Sequence, residues 1–371
     1  MIATTRHYFT SGNTARGFYN LIDSTLQGLE RVYILMGAPG TGKSSIMKTI
    51  SQTMLNHAFN IELIHSVTND DSLDGLVIPE LKVAIVDGTP PNVVEPQAPG
   101  AVEQYVNLGV AWDEQRLRSD QDNIKELYQT RKKYTELAYD TFAQGLVIHD
   151  DELEQIYFDY IDLAKADKLT RRMIDRFFAN NIQTKQATIR RRFLGAATPQ
   201  GPVDYIENLT ENTGQRYFIK GPPGCGKSHL MKKIATEADQ RGFDAEVYHC
   251  GFDPHSLDMV LLPELDIAIF DSTDPHEHFP TRNSDEIIDM YTLVLKPGTE
   301  EKHTARITHT YKRYKAKMKE GTSYLAKAKS CHDELKAIYS RAMDFDKLAH
   351  VQHEIQSEID AMAEMRTRSK T

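Results

Sequence analysis

Two short stretches of the chain combine glycines, a lysine and a serine in a spacing that suits phosphate binding. Residues 37–44 and 221–228 share the pattern Gly-x-x-x-x-Gly-Lys-Ser. Glycines let backbone N–H groups curl around phosphate oxygens, the lysine reaches the β- and γ-phosphates, and the serine hydroxyl binds Mg²⁺. The pattern therefore predicts two phosphate-binding loops (P-loops). The residues that we expect to contact a nucleotide are Gly37, Ala38, Pro39, Gly40, Thr41, Gly42, Lys43, Ser44 and Ser45, and Gly221, Pro222, Pro223, Gly224, Cys225, Gly226, Lys227, Ser228 and His229.

The elements around the two P-loops also repeat. Residues 9–91 align without a gap with residues 193–275, which indicates a duplicated and fused gene. In each copy we predict a short strand, a helix (18–26 or 203–209), the P-loop strand and helix, a second strand, a polar turn and a third strand. Near-continuous apolar strands that alternate with helices predict an α/β fold with a doubly wound, mainly parallel sheet.

A long helical arm follows each predicted core. We therefore divide the chain into two P-loop NTPase domains, at 1–184 and 185–371. The arms cover about 114–180 and 300–363, and we expect each arm to form a helical hairpin or small bundle attached to its own core. Two such similar domains could pack as a pseudo-dimer within one chain.

Repeated aspartates end the third predicted strand of each copy. A carboxylate at this position orients the water shell of Mg²⁺ in P-loop NTPases. We therefore predict metal sites formed by Asp87 with Ser44 and by Asp271 with Ser228. Neither aspartate is followed by a glutamate that could activate water, so the sequence leaves the general base unassigned.

Three further pairs of repeated residues are catalytic candidates. One pair consists of histidines that close the second strand, at the sheet edge where ligands bind, although a packed strand-end histidine would look the same. A pair of aspartates in the following polar turn (72–74 in the first copy) could act as bases or cap a helix. A pair of threonines two residues after the strand-end aspartates could sense the γ-phosphate or hydrogen-bond the turn. These candidates are His65, His249, Asp74, Asp258, Thr89 and Thr273.

Composition narrows the functional classes. The formal net charge of −9 disfavours nucleic acid as a partner, although basic residues with interleaved tyrosines at 311–329 leave that option open. Three cysteines match no zinc spacing, and we find neither a signal sequence nor an apolar run that could span a membrane. We therefore expect a cytoplasmic protein. The acidic stretch 149–152 favours a helix start or a contact between arms over a second acidic site.

By its motifs the sequence resembles the uncharacterised tandem P-loop NTPases of Gram-positive bacteria, which are often labelled ATPases or nucleotide kinases. The resemblance covers nearly the whole chain and implies ATP binding, but it supplies no established substrate. In that family a histidine tends to follow the last proline of the aspartate stretch. The second copy has His276 there and the first has Asn92, which implies an impaired first copy if that histidine is catalytic. The matching segments are the P-loops, 71–74, 255–258, 85–91, 269–276 and 99–102.

Three functions are compatible with these features. The leading one is a Mg-dependent ATPase that couples nucleotide state to movement of the arms or to a protein partner. The alternatives are a kinase for a nucleotide or small molecule, with an unknown acceptor, and a non-catalytic adaptor that responds to ATP. ATP is preferred over GTP because the guanine-reading motif Asn-Lys-x-Asp is absent. An arginine of one copy could complete the site of the other, and the candidates are Arg116, Arg118, Arg282 and Arg306.

Overall fold

Each half of the chain folds around a six-stranded, mainly parallel sheet. The computed structural model describes residues 3–69 and 71–368. In the first half (residues up to 184) the sheet order is β1-β5-β6-β7-β4-β8, and only β6 runs antiparallel to its neighbours. The strands of this half are β1 (Thr5–Tyr8), β2 (Ser11–Thr14), β3 (Gly17–Asn20), β4 (Arg31–Met36), β5 (Ile61–His65), β6 (Leu73–Ile78), β7 (Val83–Asp87) and β8 (Glu103–Asn107).

The second half repeats this topology. Its sheet order is β9-β13-β14-β15-β12-β16, and only β14 is antiparallel to its neighbours. The expected pair of mainly parallel α/β sheets is therefore confirmed. The strands are β9 (Ile189–Phe193), β10 (Gly195–Thr198), β11 (Gly201–Asp204), β12 (Gln215–Lys220), β13 (Ala245–His249), β14 (Leu257–Leu262), β15 (Ile267–Asp271) and β16 (Glu286–Asp289).

Helices follow the strands in both halves and continue into the arms. The first half has α1 (Ile22–Leu26), α2 (Lys43–Asn56), α3 (Glu114–Ser119), α4 (Gln121–Val147), a π-helical segment (Ile148–Glu154), α5 (Gln155–Phe158) and α6 (Leu163–Phe178). The second half has α7 (Ile206–Leu209), α8 (Lys227–Gln240), α9 (Met290–Leu293), α10 (Thr299–Arg341) and α11 (Phe345–Arg368). Short 3₁₀ turns cover Pro79–Leu81, Leu108–Ala111 and Pro263–Leu265. Among the described helices, none has the length and apolarity to cross a membrane.

One local prediction was wrong and another was confirmed in part. The polar turn expected at 72–74 is wrong because β6 begins at Leu73, so Asp74 and its counterpart Asp258 lie on antiparallel strands. A strand that begins with polar and glycine residues resembles a turn in the sequence. The helices expected at 18–26 and 203–209 are present from Ile22 and Ile206, but the first residues of both ranges belong to the β2–β3 and β10–β11 hairpins.

The two sheets pack face to face, and equivalent residues meet. Side chains on a strand alternate between faces, and in β4 Val32 and Ile34 pack toward the second half, while Tyr33 and Leu35 face helices. Phe9 and Phe193, which are equivalent at the offset of 184 set by Gly37 and Gly221, exchange backbone hydrogen bonds of 3.0 and 2.9 Å. This reciprocal pairing is typical of a two-fold contact.

A buried ionic network lies in this contact between the halves. Arg192 donates a 3.0 Å hydrogen bond to Glu62, and Arg6 donates a 2.8 Å hydrogen bond to Glu246. The neighbouring arginines, Arg192 first and then Arg6, hold the pKa of Glu246 well below its usual range against the effect of burial. Each arginine therefore reaches a carboxylate on the other half.

The arms cross between the halves. Helix α6, which follows the first core, packs through Met173 and Phe177 against the second sheet and α8. Helix α11 packs through Ile355 and Ile359 against the first sheet and α2. The two long helices α4 and α10 run along each other. The expectation that each arm is a bundle on its own core is thus corrected, because each terminal helix covers the sheet of the other half.

The long helices are equivalent with one insertion. Beyond the π-helical segment, Tyr157 corresponds to Tyr339 at an offset of 182, whereas the equivalent positions earlier in the arms, such as His149 and His332, differ by 183. A π-helical turn accommodates one extra residue within a helix, so the π-helical segment of the first arm explains the shift. Helix α10 continues without such a segment.

Candidate functional site

The glycine-rich loop at 37–44, which we call the first P-loop after its predicted role, connects β4 to α2. Gly40 and Gly42 adopt φ values of 80° and 90°, in the left-handed region that glycine tolerates best. The ammonium group of Lys43 donates hydrogen bonds to the carbonyl oxygens of Gly37 and, at 3.0 Å, Ala38. It also lies 3.6 Å from the carboxylate of Asp87. Lysine and strand-end aspartate are therefore neighbours at the carboxyl edge of the sheet.

The second P-loop has the same geometry. Gly224 and Gly226 have φ values of 73° and 95°. Lys227 donates to the carbonyl oxygen of Gly221 at 2.6 Å and lies 3.4 Å from Asp271. Two equivalent clusters of a lysine, a strand-end aspartate and a glycine-rich loop are thus present in the chain.

The P-loop serines connect each cluster to the antiparallel strand. The hydroxyl of Ser44 accepts a 3.0 Å hydrogen bond from the backbone N–H of Leu73, and Ser228 accepts the same bond from Leu257. The next residue on each strand is Asp74 or Asp258. The antiparallel strand thereby brings a second carboxylate to each cluster.

These second carboxylates are buried. Burial and the neighbouring Asp87 raise the pKa of Asp74 to about 7. Burial raises the pKa of Asp258 to about 6, with His276 opposing and Asp271 adding to the effect. Within the described residues, Oδ2 of Asp74 is buried and forms no hydrogen bond. An unsatisfied carboxylate oxygen beside a serine hydroxyl and Asp87 fits a hard cation such as Mg²⁺, or a water bound to it.

The two lysines differ in their electrostatic surroundings. Burial lowers the pKa of Lys43, with Asp87 opposing and Arg131 adding to the effect. For Lys227, burial acts in the same direction, but Asp271 and other neighbours outweigh it, and the pKa is raised. Arg131 acts on the lysine of the first cluster, whereas the neighbours that act on Lys227 all favour its charged form.

The repeated threonines fix the strand-end aspartates to the P-loops. Thr89 donates through its backbone N–H to Asp87 at 2.8 Å and through its hydroxyl to the carbonyl oxygen of Gly37 at 2.8 Å. Thr273 donates both its hydroxyl (2.6 Å) and its N–H (3.1 Å) to Asp271. Both threonines lie in the clusters, as their positions predict.

The predicted histidines lie elsewhere. The ring of His65 packs 4.6 Å from that of Tyr205, across the contact between the halves, and its Nε2 is 2.8 Å from Nδ1 of His7. Burial lowers the pKa of His65 to about 4. Nδ1 of His249 is 2.6 Å from the carbonyl oxygen of Pro254. Neither His65 nor His249 lines the cavities beside the P-loops, so the structure favours a packing role.

A cavity adjoins each cluster, and residues of both arms close it. The cavity of the first half has a volume of about 640 Å³ and touches its P-loop only at Pro39 and Lys43. The cavity of the second half has a volume of about 540 Å³ and follows most of its P-loop. The sequence does not predict a place beside the P-loops for these arm residues, because they lie far from the P-loops along the chain and reach them only through tertiary packing. They include Tyr128, Arg131 and His332 in the first cavity, and Tyr311, Tyr314 and His149 in the second.

The exchanged arms also touch the P-loops directly. A side chain added at Gly40 would lie 2.4 Å from the carbonyl oxygen of Lys336, on α10. A side chain added at Gly224 would lie 3.1 Å from Cβ of Glu154, on the π-helical segment. Glu154 and Lys336 occupy equivalent positions of the two arms. Each P-loop is therefore covered by the arm that follows the other core.

The segment expected to be a helix start or a contact between arms lies in this cover. His149, Asp150 and Glu154 present ligand atoms within 4.8 Å of one another beside the second P-loop. Nδ1 of His149 is 2.8 Å from Asp150, so these side chains already pair within the segment.

His276 belongs to the second cavity and is held by an acid. Its Nδ1 lies 2.9 Å from Asp204, and this hydrogen bond raises the pKa of His276 against the effect of burial. Asn92 lines the first cavity at the equivalent position. The two cavities thus differ in charge at this point.

None of the four arginines suggested by the sequence lines either cavity in the described part of the chain. Arg116 donates to a backbone carbonyl oxygen, and Arg118 pairs with Glu114. Arg282 binds backbone carbonyl oxygens at 210–213, and Arg306 is exposed on α10. A completing arginine must be sought among the residues that do face a cavity.

The geometry of the two clusters is the basis for a functional argument, because similarity offers none. Comparisons of the chain with protein-family models, curated proteins and solved structures found no match.

Proposed function

We propose that the chain binds Mg-ATP at both P-loops and hydrolyses it, as an ATPase whose arms respond to the nucleotide. The observation that carries this proposal is the repeated cluster. In each half the P-loop lysine lies within 3.6 Å of a strand-end aspartate. The hydroxyl of the P-loop serine accepts a hydrogen bond from the first residue of the antiparallel strand. A buried lysine, a carboxylate and a serine hydroxyl at the end of a glycine-rich loop suit a phosphate with a bound cation, and both halves retain this set of groups.

The residues divide the chemistry between them. Lys43 and the backbone N–H groups of the loop bind the β- and γ-phosphates, and Ser44 and Asp87 would hold Mg²⁺. Bound Mg²⁺ supplies neutralisation of phosphate charge. Thr89 keeps Asp87 in place through the hydrogen bonds described above. The equivalent residues of the second half have the same roles.

Asp74 and Asp258 are the candidate general bases. A base works best when its pKa is near the working pH, and the pKa of Asp74 is raised to about 7. In the reaction, the water oxygen forms a bond to the γ-phosphorus while the bond from that phosphorus to the bridging oxygen breaks. The proton of the water passes to Asp74, ADP leaves with the bridging oxygen, and inorganic phosphate is released.

Transfer to an acceptor other than water is a second candidate, supported by the shape of the first cavity. This cavity touches only the lysine end of its P-loop and extends between the arms to Tyr139 and Leu325. A volume of about 640 Å³ exceeds what an attacking water requires. In that case ATP would be consumed without release of inorganic phosphate once the acceptor is present.

The test is equilibrium binding of Mg-ATP and steady-state phosphate release for the wild type, Lys43→Ala and Lys227→Ala. We expect two bound nucleotides in the wild type and one in each variant. Lys48→Ala is a matched control, since it removes an exposed lysine from the same helix. If both P-loop variants still bind two nucleotides, the assignment of the sites is wrong. If binding is normal but no phosphate appears, the hydrolysis part of the proposal fails.

A further inference from the structure

Equivalent helices form the walls of the two cavities, and one of the differences between these walls concerns an arginine. At the offset of 183, Tyr128 corresponds to Tyr311 and Arg131 to Tyr314, and all four side chains line a cavity. Arg131 faces His332 of α10, and Tyr314 faces the equivalent His149. An arginine beside the first P-loop thus takes the place that a tyrosine occupies beside the second.

We propose that Arg131 stabilises the charge that develops on the γ-phosphate in the first half, and that the second half lacks such a group. The first site is then the one that turns over rapidly, while the second mainly retains its nucleotide. This inference rests on the function proposed above. It replaces the four arginines suggested by the sequence with a residue of the arm of the same half.

The contacts of Arg131 leave its charge available to a ligand. Among the described residues, no carboxylate lies within 4.0 Å of its guanidinium group. The group lies 5.2 Å from the centre of the Tyr128 ring, and its Nη1 is 3.4 Å from Nδ1 of His332. Partly buried cations normally have an anionic partner. A phosphate held by Lys43 in the same cavity would supply one.

The charge of Arg131 acts at the P-loop. Burial lowers the pKa of Lys43, and Arg131 adds to this effect. Burial and Arg131 together lower the pKa of His332 to about 4. Arg131 therefore lies close enough to Lys43 and His332 to act on their charge, as a group that contacts the same phosphate would. Arginine suits this role because its planar fork can contact two phosphate oxygens.

The second cavity has no arginine in its described lining. Burial raises the pKa of Tyr314 well above its ordinary value, so its phenol is neutral. The basic residues next to it are already paired, Arg313 with Glu152 at 2.5 Å and Lys315 with Asp274. His276 is held by Asp204.

The experiment separates the two sites in the full-length chain. Lys227→Ala leaves the first site alone and serves as the background for Arg131→Ala, Arg131→Lys and the control Lys133→Ala, an exposed residue of the same helix. We expect Arg131→Ala to lower kcat for Mg-ATP about 10³-fold with much less change in the Kd of Mg-ATP. Arg131→Lys should recover only part of the loss, and Lys133→Ala should retain the background rate.

A gain of function tests the second half. In the Lys43→Ala background, which leaves the second site alone, Tyr314→Arg should raise kcat above that of its parent. Because Tyr314 is half-buried and its replacement by arginine could impair folding, Arg131→Tyr in the Lys227→Ala background provides the reverse change. This variant should slow the first site to the rate of the second. Equal rates for the two unmodified single-site proteins would overturn the proposed asymmetry.

A binding measurement covers the case of slow turnover. Mg-ADP with aluminium fluoride mimics the transferring phosphate, so Arg131→Ala should weaken its binding at the first site far more than that of Mg-ATP. Equal affinity in the parent and Arg131→Ala would refute the role of Arg131. If Lys43→Ala and Lys227→Ala still bind two nucleotides, the proposed function itself is refuted. This outcome is different from an unchanged affinity in Arg131→Ala, so the two proposals are tested separately.

Discussion

Replacement of Asp74 by asparagine should stabilise the folded protein at pH 8 while it slows hydrolysis. The folded-state pKa is about 7, against an ordinary value of 3.8, because the carboxyl group is buried beside Asp87. A raised folded pKa means that the folded state holds the proton more tightly than the unfolded chain. Stability therefore falls as the pH rises from about 4 to about 7. The difference between the folded and ordinary pKa values corresponds to about 4 kcal/mol of stability lost at high pH. The Asp74→Asn variant has no charge to bury and should not lose this stability.

Urea denaturation without nucleotide at pH 5 and pH 8 measures this effect. Between these values we expect the free energy of unfolding of Asp74→Asn to gain about 3 kcal/mol relative to the wild type. Asp258→Asn should show about half of that gain, since its carboxyl has a pKa of about 6. Asp140→Asn, which removes an exposed carboxylate from α4, controls for net charge. Identical pH dependence in the wild type and Asp74→Asn would refute the reasoning.

Three further predictions concern the arms and the contact between the halves. Gly40→Ala should lower the unfolding temperature more than Gly100→Ala, since both have φ of 80° but only Gly40 faces an arm carbonyl oxygen; equal losses would argue against close arm contact. Glu62→Gln should lower the free energy of unfolding by about 3 kcal/mol, because buried Arg192 then loses a negatively charged partner. The control Glu30→Gln removes a carboxylate from an exposed ion pair and should change the free energy of unfolding little. Trp112, the one tryptophan, lies 5.8 Å from a tyrosine ring of α10, so Mg-ATP should change its fluorescence. The fluorescence change should be absent in Lys43→Ala and retained in Lys227→Ala. The opposite pattern would contradict the assignment of the first nucleotide site to the P-loop at 37–44.

The cores could be predicted because their signals are local and occur twice. The apolar strand, the glycine spacing and the helix start all lie within about 15 residues of Lys43, and the second copy repeats them. Strand-end aspartates such as Asp87 follow from the same pattern. The structure brings these residues together with Thr89, as their positions beyond parallel strands predict.

The antiparallel strands could not be recognised in the same way. Strand β6 begins with Leu73, Asp74 and Gly75, which read as a turn because polar and glycine residues interrupt the apolar pattern. The contact between Ser44 and the N–H of Leu73 is a tertiary hydrogen bond, and it leaves no periodic signal. Asp74 was therefore a candidate for its chemistry, but its position on a strand required the structure.

The histidines show the opposite outcome. His65 and His249 close strands, which is where ligand-binding residues often lie, yet both are held by other contacts. The ring of His65 packs on Tyr205 of the other half, whereas His249 lies against the carbonyl oxygen of Pro254 in the loop that follows its own strand. The packing of one copy on the other therefore explains the environment of His65 alone.

The exchange of the arms explains why two similar halves occur in one chain. The apolar stripe of α6 or α11 would suit either sheet, so no pattern in the sequence decides which sheet it covers. In the structure, Lys336 of the second arm covers Gly40, and Glu154 of the first arm covers Gly224. Helices α4 and α10 also pack along their length, and both line the two cavities. A nucleotide that moves the arm residues above one P-loop therefore also displaces a helix that lines the other cavity. A separate half would lack both its cover and one wall of its cavity, so the proposed sites are complete only in the fused chain.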